Sequence, residues 1–258
     1  MKDISYAFMD KKALITYICA GDPKIGATPA IVEALIRGGT DLIELGLPFS
    51  DPIADGPTIQ AATQRALQSG MNPDLFFELA KKLPNDVPYA VMTYYNLIFH
   101  RGIEKFVKDC KESGISGIIV PDLPPEEATE LHETCKKHGL HSIHFIAPTT
   151  TKERIKRITK DASGFIYLVA RLGVTGARGD LQESTRSLIQ RVETTTPKAV
   201  GFGISTPKQA REVIRSGADG AIVGSAIIDI IAKNKDNINK TCEEIEALTR
   251  RLKEEITR

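Results

Sequence analysis

The fold is easiest to infer from residues 41–57, which read DLIELGLPFSDPIADGP. A short apolar run, Leu42–Leu45, passes directly into a loop rich in proline, aspartate and glycine. Short runs that are apolar at nearly every position are typical of parallel strands covered on both faces. The stretch therefore predicts a buried parallel strand, interrupted by the acidic side chain of Glu44, that leads into a polar loop.

The same unit of apolar run and polar turn recurs along the whole chain and indicates about eight strands. The predicted strands are Leu14–Cys19, Leu42–Leu45, Tyr89–Met92, Gly117–Val120, Ser142–Ile146, Phe165–Val169, Ala199–Phe202 and Ala221–Val223.

Amphipathic helices separate these strands. Residues 103–110 carry one apolar stripe, with the spacing of a single buried helix face. The segment Pro125–Gly139 begins with glutamates and ends with lysines and a glycine, an order favoured by the helix dipole and by left-handed capping. A capping box at Thr150–Glu153 and the pair Thr206 and Pro207 predict two further helix starts.

Strands alternating with helices leave two candidate architectures, a closed barrel and a doubly wound open sheet. The chain has 258 residues, close to the ~250 typical of an eight-stranded barrel. The units are regular in length, and no Gly-x-Gly-x-x-Gly motif follows the first strand, which disfavours the dinucleotide-binding open sheet. We therefore expect a single (β/α)8 TIM-barrel domain over residues 1–258, with Ile238–Arg258 as a peripheral helix.

Composition indicates an ordinary globular enzyme of the cytoplasm. The formal net charge is +1, so no global field would attract nucleic acid or an anionic membrane. No apolar run approaches the ~18 residues of a membrane span. The four cysteines form no CxxC pair, which favours reduced thiols over a disulfide or zinc framework. His138, His141 and His144 straddle a helix end and a strand, so we expect no metal site.

Two carboxylates in the opening stretch are the candidate catalytic groups. Glu44 shares a strand face with Leu42. A glutamate is almost never fully buried unless it is paired, and no basic partner is evident nearby in the sequence, which favours a functional role. Burial should raise its pKa, which suits a group that both gives and takes a proton. Asp55 lies in a polar loop and should stay partly solvated and ionised, so the two acids would take different roles. The structural alternatives are a buried ion pair for Glu44 and a turn-forming role for Asp55.

A phosphate site is predicted where the last two strands end. Gly201–Gly203 closes the seventh strand, and Gly224 with Ser225 closes the eighth and opens a short helix. Loops at these positions form the usual barrel phosphate site, because glycines and a helix N-terminus bring N–H groups to an anion. Plain turns are the alternative. Phe202 and Tyr167 would point inward as apolar walls, although core aromatics would look the same.

Several motifs together resemble the tryptophan synthase α-subunit family, in order and over nearly the whole chain. They are Gly21–Pro23, Glu44–Gly46 running into Pro48–Pro52, Ala54–Gln60, Tyr94–Asn96, Pro121–Pro124, Tyr167 ahead of Arg171–Gly176, Gly201–Ser205 and Val223–Ala226.

The resemblance implies a lyase that cleaves indole-3-glycerol phosphate to indole and glyceraldehyde 3-phosphate by a retro-aldol reaction. Glu44 would protonate indole C3 and help to deprotonate the glycerol hydroxyl. Asp55 would accept a hydrogen bond from the indole N1–H. Tyr17, which stands where a phenylalanine is frequent, would line the indole pocket. Gly176 would join the phosphate site.

The resemblance also implies a partner, the tryptophan synthase β subunit, in an α2β2 heterotetramer. Pyridoxal phosphate is expected only in that subunit, and no cofactor is expected in this chain. Asp51, Pro52 and Asn96 would face the partner. Thr175, in the glycine-containing loop Arg171–Asp180, would close over the substrate and hydrogen-bond to Asp55.

Three other functions remain open at this point. One is another phosphate-binding barrel of the same pathway, such as indole-glycerol-phosphate synthase or an aldose-ketose isomerase. The synthase relies on a catalytic lysine inside a strand, and none interrupts a strand here. A silent scaffold that only activates a partner is disfavoured by the intact acid pair. A stand-alone lyase that releases free indole is the third.

Overall fold

A computed structural model describes residues 1–169, 183–201 and 203–258. Eight parallel strands close into a barrel in simple sequence order. The strands are β1 Ala13–Cys19, β2 Leu42–Gly46, β3 Tyr89–Met92, β4 Ile115–Ile119, β5 His141–Ile146, β6 Ile166–Val169, β7 Lys198–Gly201 and β8 Gly220–Val223.

Helices surround the barrel. In the described ranges they are α1 Thr28–Gly38, α2 Pro57–Gln68, α3 Pro73–Ala80, α4 Tyr95–Arg101, α5 Ile103–Glu112, α6 Thr129–His138, α7 Lys152–Asp161, α8 Glu183–Arg191, α9 Pro207–Arg215, α10 Ser225–Lys233 and α11 Ile238–Thr257. Two 3-10 turns, Ile4–Phe8 and Ile25–Ala27, complete the elements. The (β/α)8 barrel and its peripheral C-terminal helix, predicted from the sequence, are confirmed.

Several predicted strand ends differ from the observed ones by one residue, and three boundaries differ for an identifiable local reason. Strand β4 begins at Ile115 rather than Gly117, because the Ser116 hydroxyl is satisfied inside the sheet by the Tyr89 carbonyl. Helix α6 begins at Thr129, since the residues after Pro124 form turns instead. The cap of α7 is Thr151 rather than the predicted Thr150, because the Thr150 hydroxyl instead accepts from the Ala147 amide at 3.0 Å. By contrast, Thr206 caps α9 in a full capping box, as predicted.

The bottom of the barrel, where the strands begin, is closed by the N-terminal 3-10 turn. Ile4 and Ala7 on this turn are fully buried, and the Phe8 ring lies 5.8 Å from the Phe165 ring. Gly117 has no Cβ because one would collide with Ile4. The interior is therefore filled with side chains at this end, and space for a ligand remains only at the carboxyl ends of the strands.

The C-terminal helix α11 is held at the bottom of the barrel, where the strands begin. The Asp41 carboxylate accepts from Lys253 Nζ of α11 at 2.6 Å, from Lys11 Nζ at 2.8 Å and from the Leu14 amide at 2.7 Å. Helix α11 also packs against α1 at Gly38, where a Cβ would lie 2.5 Å from that of Thr249. This helix is therefore an integral part of the barrel wall.

The close approach of α1 and α11 can be tested with a pair of glycine variants. Gly38→Ala forces the two helices apart and should destabilise the fold by about 1–3 kcal/mol, the usual cost of overpacking. Gly26→Ala is the matched control, because a Cβ there meets nothing within 4 Å. Urea unfolding of both variants measures the difference, and equal stabilities would contradict the proposed packing.

Candidate active site

A cavity of about 290 Å³ opens at the carboxyl ends of the strands, the end where barrel enzymes place their chemistry. Its walls contain the catalytic and binding residues predicted from the sequence that lie in the described ranges. These are Tyr17, Glu44, Asp55, Tyr167, Gly203, Gly224 and Ser225. Thr175, Gly176 and Phe202, also predicted for this site, lie outside the described residues.

Glu44 lies on β2 and points into the barrel. The residue is fully buried, and neither carboxyl oxygen has a hydrogen-bond partner among the described residues. Burial raises its pKa to about 8, because desolvation disfavours the charged form. The predicted pKa direction is confirmed, and the ion-pair alternative finds no basic partner in the described structure. At neutral pH this carboxyl group carries a proton.

Asp55 lines the same cavity from the loop between β2 and α2, and is only half-buried. Burial raises its pKa, while a hydrogen bond from Tyr94 acts in the opposite direction. The partial solvation expected from the sequence is confirmed. The two acids therefore occupy different environments: Glu44 is buried without a hydrogen-bond partner among the described residues, whereas Asp55 is partly exposed and hydrogen-bonded to Tyr94.

Tyr94, at the end of β3, holds the loop that carries Asp55. Its hydroxyl accepts from the Ala54 amide at 3.0 Å and donates to the Asp55 carboxylate, and its ring packs in a tilted arrangement against Phe49. Tyr94 belongs to a motif noted in the sequence, but no role was assigned to it. Its contact with Asp55 spans two different strand ends, which a sequence pattern does not reveal.

Helix α2, which follows Asp55, is fastened to the loop after β1. Arg65 of α2 forms a bidentate ion pair with the buried Asp22, at 2.6 and 2.8 Å. Ser69 Oγ donates to the Gly21 carbonyl at 3.0 Å. Because the start of α2 lines the cavity, these bonds fix one of its walls.

Another part of the cavity wall, at the ends of β7 and β8, is suited to an anion. Gly203 has φ 86°, a conformation that favours glycine. Gly224 precedes α10 without any side-chain cap, and the first amides of that helix, beginning at Ser225, have no partner within the helix. Backbone N–H groups at a helix start are a ready phosphate site.

The predicted partner-facing residues lie outside the cavity, on exposed or half-exposed positions near its mouth. Asp51 and Asn96 are exposed and Pro52 is half-exposed. Two large apolar side chains are exposed close by in sequence, Ile53 at 80% and Phe99 at 64%. Neither was singled out from the sequence, since isolated apolar residues carry no signal until their exposure is known.

Comparison with known proteins places this arrangement in one family. The family model for the tryptophan synthase alpha chain matches residues 6–257. The chain belongs to that family. It is 57% identical over 246 residues to the alpha chain of Methanosarcina barkeri, covering 95% of this chain and 92% of that one. It is 51% identical over 232 residues to the alpha chain of Methanocaldococcus jannaschii, covering 88% and 82%.

Solved structures of tryptophan synthase alpha chains support the same family assignment. A tryptophan synthase alpha chain from Legionella pneumophila superposes with a TM-score of 0.88 at 34% identity, covering 99% of this chain and 97% of that one. An alpha subunit from the α2β2 complex of Pyrococcus furiosus gives 0.87 at 37% identity, covering 94% and 98%. The chain is therefore a carbon–carbon lyase that acts on indole-3-glycerol phosphate in tryptophan biosynthesis, and the predicted family, fold and reaction are confirmed.

Other site types find little support in the described ranges. No group of three or more histidine, cysteine or acidic side chains there is placed to hold a metal ion. Over the same ranges, no helix combines the length and apolar character needed to cross a membrane. The four cysteines are free thiols.

The isolation of Glu44 predicts a pH-dependent penalty on folding. Its folded pKa of about 8 lies above the ordinary value of 4.5, so stability present at low pH is lost as the pH rises from 4.5 through 8. At ~1.4 kcal/mol per pKa unit, the loss approaches ~5 kcal/mol. Glu44→Gln cannot ionise and should escape this loss, so its stability relative to the wild type should rise between pH 5 and 8 and level off above pH 8. Urea unfolding from pH 5 to 9 measures this; parallel stability profiles would refute an isolated Glu44.

Proposed function

We propose that this cavity performs the retro-aldol cleavage of indole-3-glycerol phosphate with Glu44 as the acid–base group and Asp55 as the partner of the indole nitrogen. The observation that supports this assignment is the environment of Glu44, a buried carboxyl group with no partner, facing the same cavity as the half-buried Asp55. No metal is needed for the chemistry that follows.

The first step protonates the ring. Glu44 donates its proton to indole C3, which becomes tetrahedral, and positive charge develops at N1. The Asp55 carboxylate accepts the N1–H and stabilises that charge, since a charge-assisted hydrogen bond is stronger than a neutral one. Tyr94 keeps the carboxylate in place. Glu44 is left ionised in a desolvated site, where it is a stronger base than an ordinary carboxylate.

The second step breaks the carbon–carbon bond. The ionised Glu44 removes the proton from the hydroxyl group on the side-chain carbon next to the ring. The oxygen electrons form the aldehyde carbonyl of glyceraldehyde 3-phosphate, and the electrons of the broken bond return to the ring. Indole keeps the proton that C3 received, N1 becomes neutral, and Glu44 regains its proton for the next turnover.

Binding places the substrate across the cavity. We assign the phosphate to the amides around Gly203, Gly224 and Ser225, with Gly176 as a further contact. The indole ring would lie between Tyr17, Tyr167 and Phe202, with Thr175 closing over it. The apolar side chains of Met92 and Ile222 in the described wall are suited to an aromatic ring.

The alternative of a synthase with a strand lysine is not favoured by the geometry. Lys198 is the only lysine in the described strands, and it begins β7. Its Nζ donates to the carbonyls of Ile189 and Val192 at 3.0 and 3.2 Å. It therefore lies at the opposite end of the barrel from the cavity.

Partnership follows from the family. One of the solved neighbours is an α2β2 complex described as mutually activating, and we propose the same assembly here, with Asp51, Pro52 and Asn96 facing a β subunit. Pyridoxal phosphate would belong to that β subunit alone. We also propose that residues 1–258 form one domain and that the enzyme acts in the cytoplasm.

The acid pair can be tested by isosteric variants. Glu44→Gln keeps the shape of the site but cannot transfer a proton, so kcat should fall by about 10²–10⁴-fold, the usual contribution of general acid–base catalysis. Asp55→Asn should lower it by about 10²–10³-fold, because an amide stabilises positive charge poorly. Glu33→Gln on exposed α1 is the control and should leave the rate unchanged. Single-turnover cleavage within a few-fold of wild type in Glu44→Gln would rule out its role.

The proposed interface with the β subunit can be tested separately. Added β subunit should raise the rate of indole-3-glycerol phosphate cleavage, because a partner that prefers the closed loop shifts the α subunit toward it. Asp51→Ala should reduce this stimulation more than the basal rate, since Asp51 is exposed and outside the cavity. Steady-state rates with and without β subunit give both quantities, and equal stimulation in variant and wild type would remove Asp51 from the interface.

A further inference from the structure

Tyr17 occupies an unusual position beside the acid. It is paired in register with Glu44 across strands β1 and β2, so both side chains point into the barrel. The end of its ring lies over Gly46, two positions beyond Glu44, where a Cβ would come 2.8 Å from the ring carbon that bears the hydroxyl and closer still to the hydroxyl oxygen. Gly46 therefore makes the room in which the Tyr17 hydroxyl sits.

The same device occurs on the far side of the barrel. Tyr167 on β6 is paired in register with Ala199, and its hydroxyl end lies over Gly201, two positions further along β7. Each tyrosine thus leans toward the cavity across a glycine of the next strand. At both places the missing side chain lets a phenol reach the ligand space instead of filling the core.

The Tyr17 hydroxyl is a hydrogen-bonding group without a protein partner in the described structure. No hydrogen bond joins it to a described residue, and Tyr17 lines the cavity. Burial, with the nearby acids Glu44 and Asp55, raises its pKa well above the ordinary value, so it remains protonated. The hydroxyl faces the cavity, and a ligand that displaces water from it costs free energy unless the ligand supplies a hydrogen-bond partner.

The orientation of the ring indicates what that partner is. At its stem, the Cβ of Tyr17 lies 3.2 Å from where a Cβ of Gly224 would be, beside the proposed phosphate amides. At its tip it reaches Gly46, beside Glu44. The ring therefore runs parallel to the path that a chain must take from the phosphate to the acid.

We propose that the Tyr17 hydroxyl hydrogen-bonds to the glycerol chain of the substrate, at the hydroxyl that does not react, and so fixes the reacting carbon beside Glu44. This inference rests on the proposed function of the cavity. It makes Tyr17 a specificity residue for a hydroxylated side chain rather than only an apolar wall for the ring.

Binding measurements separate this role from packing. In a Glu44→Gln background, which holds the substrate uncleaved, adding Tyr17→Phe should weaken binding of indole-3-glycerol phosphate roughly 3- to 10-fold, the worth of one neutral hydrogen bond. Indole-3-propanol phosphate, which lacks both chain hydroxyls, should bind equally to the single and double variants. Tyr6→Phe, which removes an exposed hydroxyl at the other end of the barrel, is the matched control and should change neither affinity.

A second variant moves the hydroxyl without removing it. Gly46→Ala places a Cβ against the Tyr17 phenol and should produce the same selective loss of the hydroxylated ligand by calorimetry. Equal weakening of both ligands by Tyr17→Phe would show that the ring only packs, and unchanged affinity for both would also overturn the proposal. Failure of the wild type to cleave the substrate would instead overturn the proposed function, because these affinities are measured without turnover.

Discussion

The structure is organised around the desolvation of one carboxyl group. Glu44 is fully buried with neither oxygen hydrogen-bonded in the described structure, and removing a carboxylate from water without a partner is costly. The group responds by holding its proton to a pKa of about 8. An acid that is protonated at rest, and more basic than an ordinary carboxylate once it is ionised, suits the proposed reaction, which needs proton donation and then proton removal.

The rest of the barrel keeps that environment in place. The 3-10 turn Ile4–Phe8 seals the bottom, so the interior is dry below Glu44 and open only above it. Asp55 is held apart from this dry core on a loop anchored by Tyr94, and the ion pair of Arg65 with Asp22 fixes the helix that follows. The two acids are thereby kept in different dielectric surroundings, which is how similar side chains acquire different roles.

The same end of the barrel combines rigid and adjustable parts. The strands place Glu44 and Tyr17 with little freedom, because the register fixes which residues face inward. The loop with Asp55 is tied by a few hydrogen bonds, and its exposed tip carries Asp51 next to the exposed Ile53. A partner that binds such a tip can act on the position of Asp55 without disturbing the strand that holds Glu44, which gives the proposed α2β2 coupling a physical route.

The sequence by itself determined the barrel and most strand positions, and it singled out Glu44 as the proposed acid, because apolar runs and a lone glutamate within one of them are local signals. The proposed role of Asp55 came from the family resemblance, since an aspartate in a polar loop is also a common turn residue. The sequence was less accurate where tertiary partners decide: Ser116 belongs to β4 because Tyr89 satisfies its hydroxyl. Only the tertiary structure decided that Tyr94 holds Asp55, that Arg65 reaches Asp22, and that the absence of a side chain at Gly46 leaves room for the Tyr17 hydroxyl. Each of these contacts joins separate strands or loops, and a residue's neighbours across a barrel depend on register and closure, which no single segment of sequence encodes.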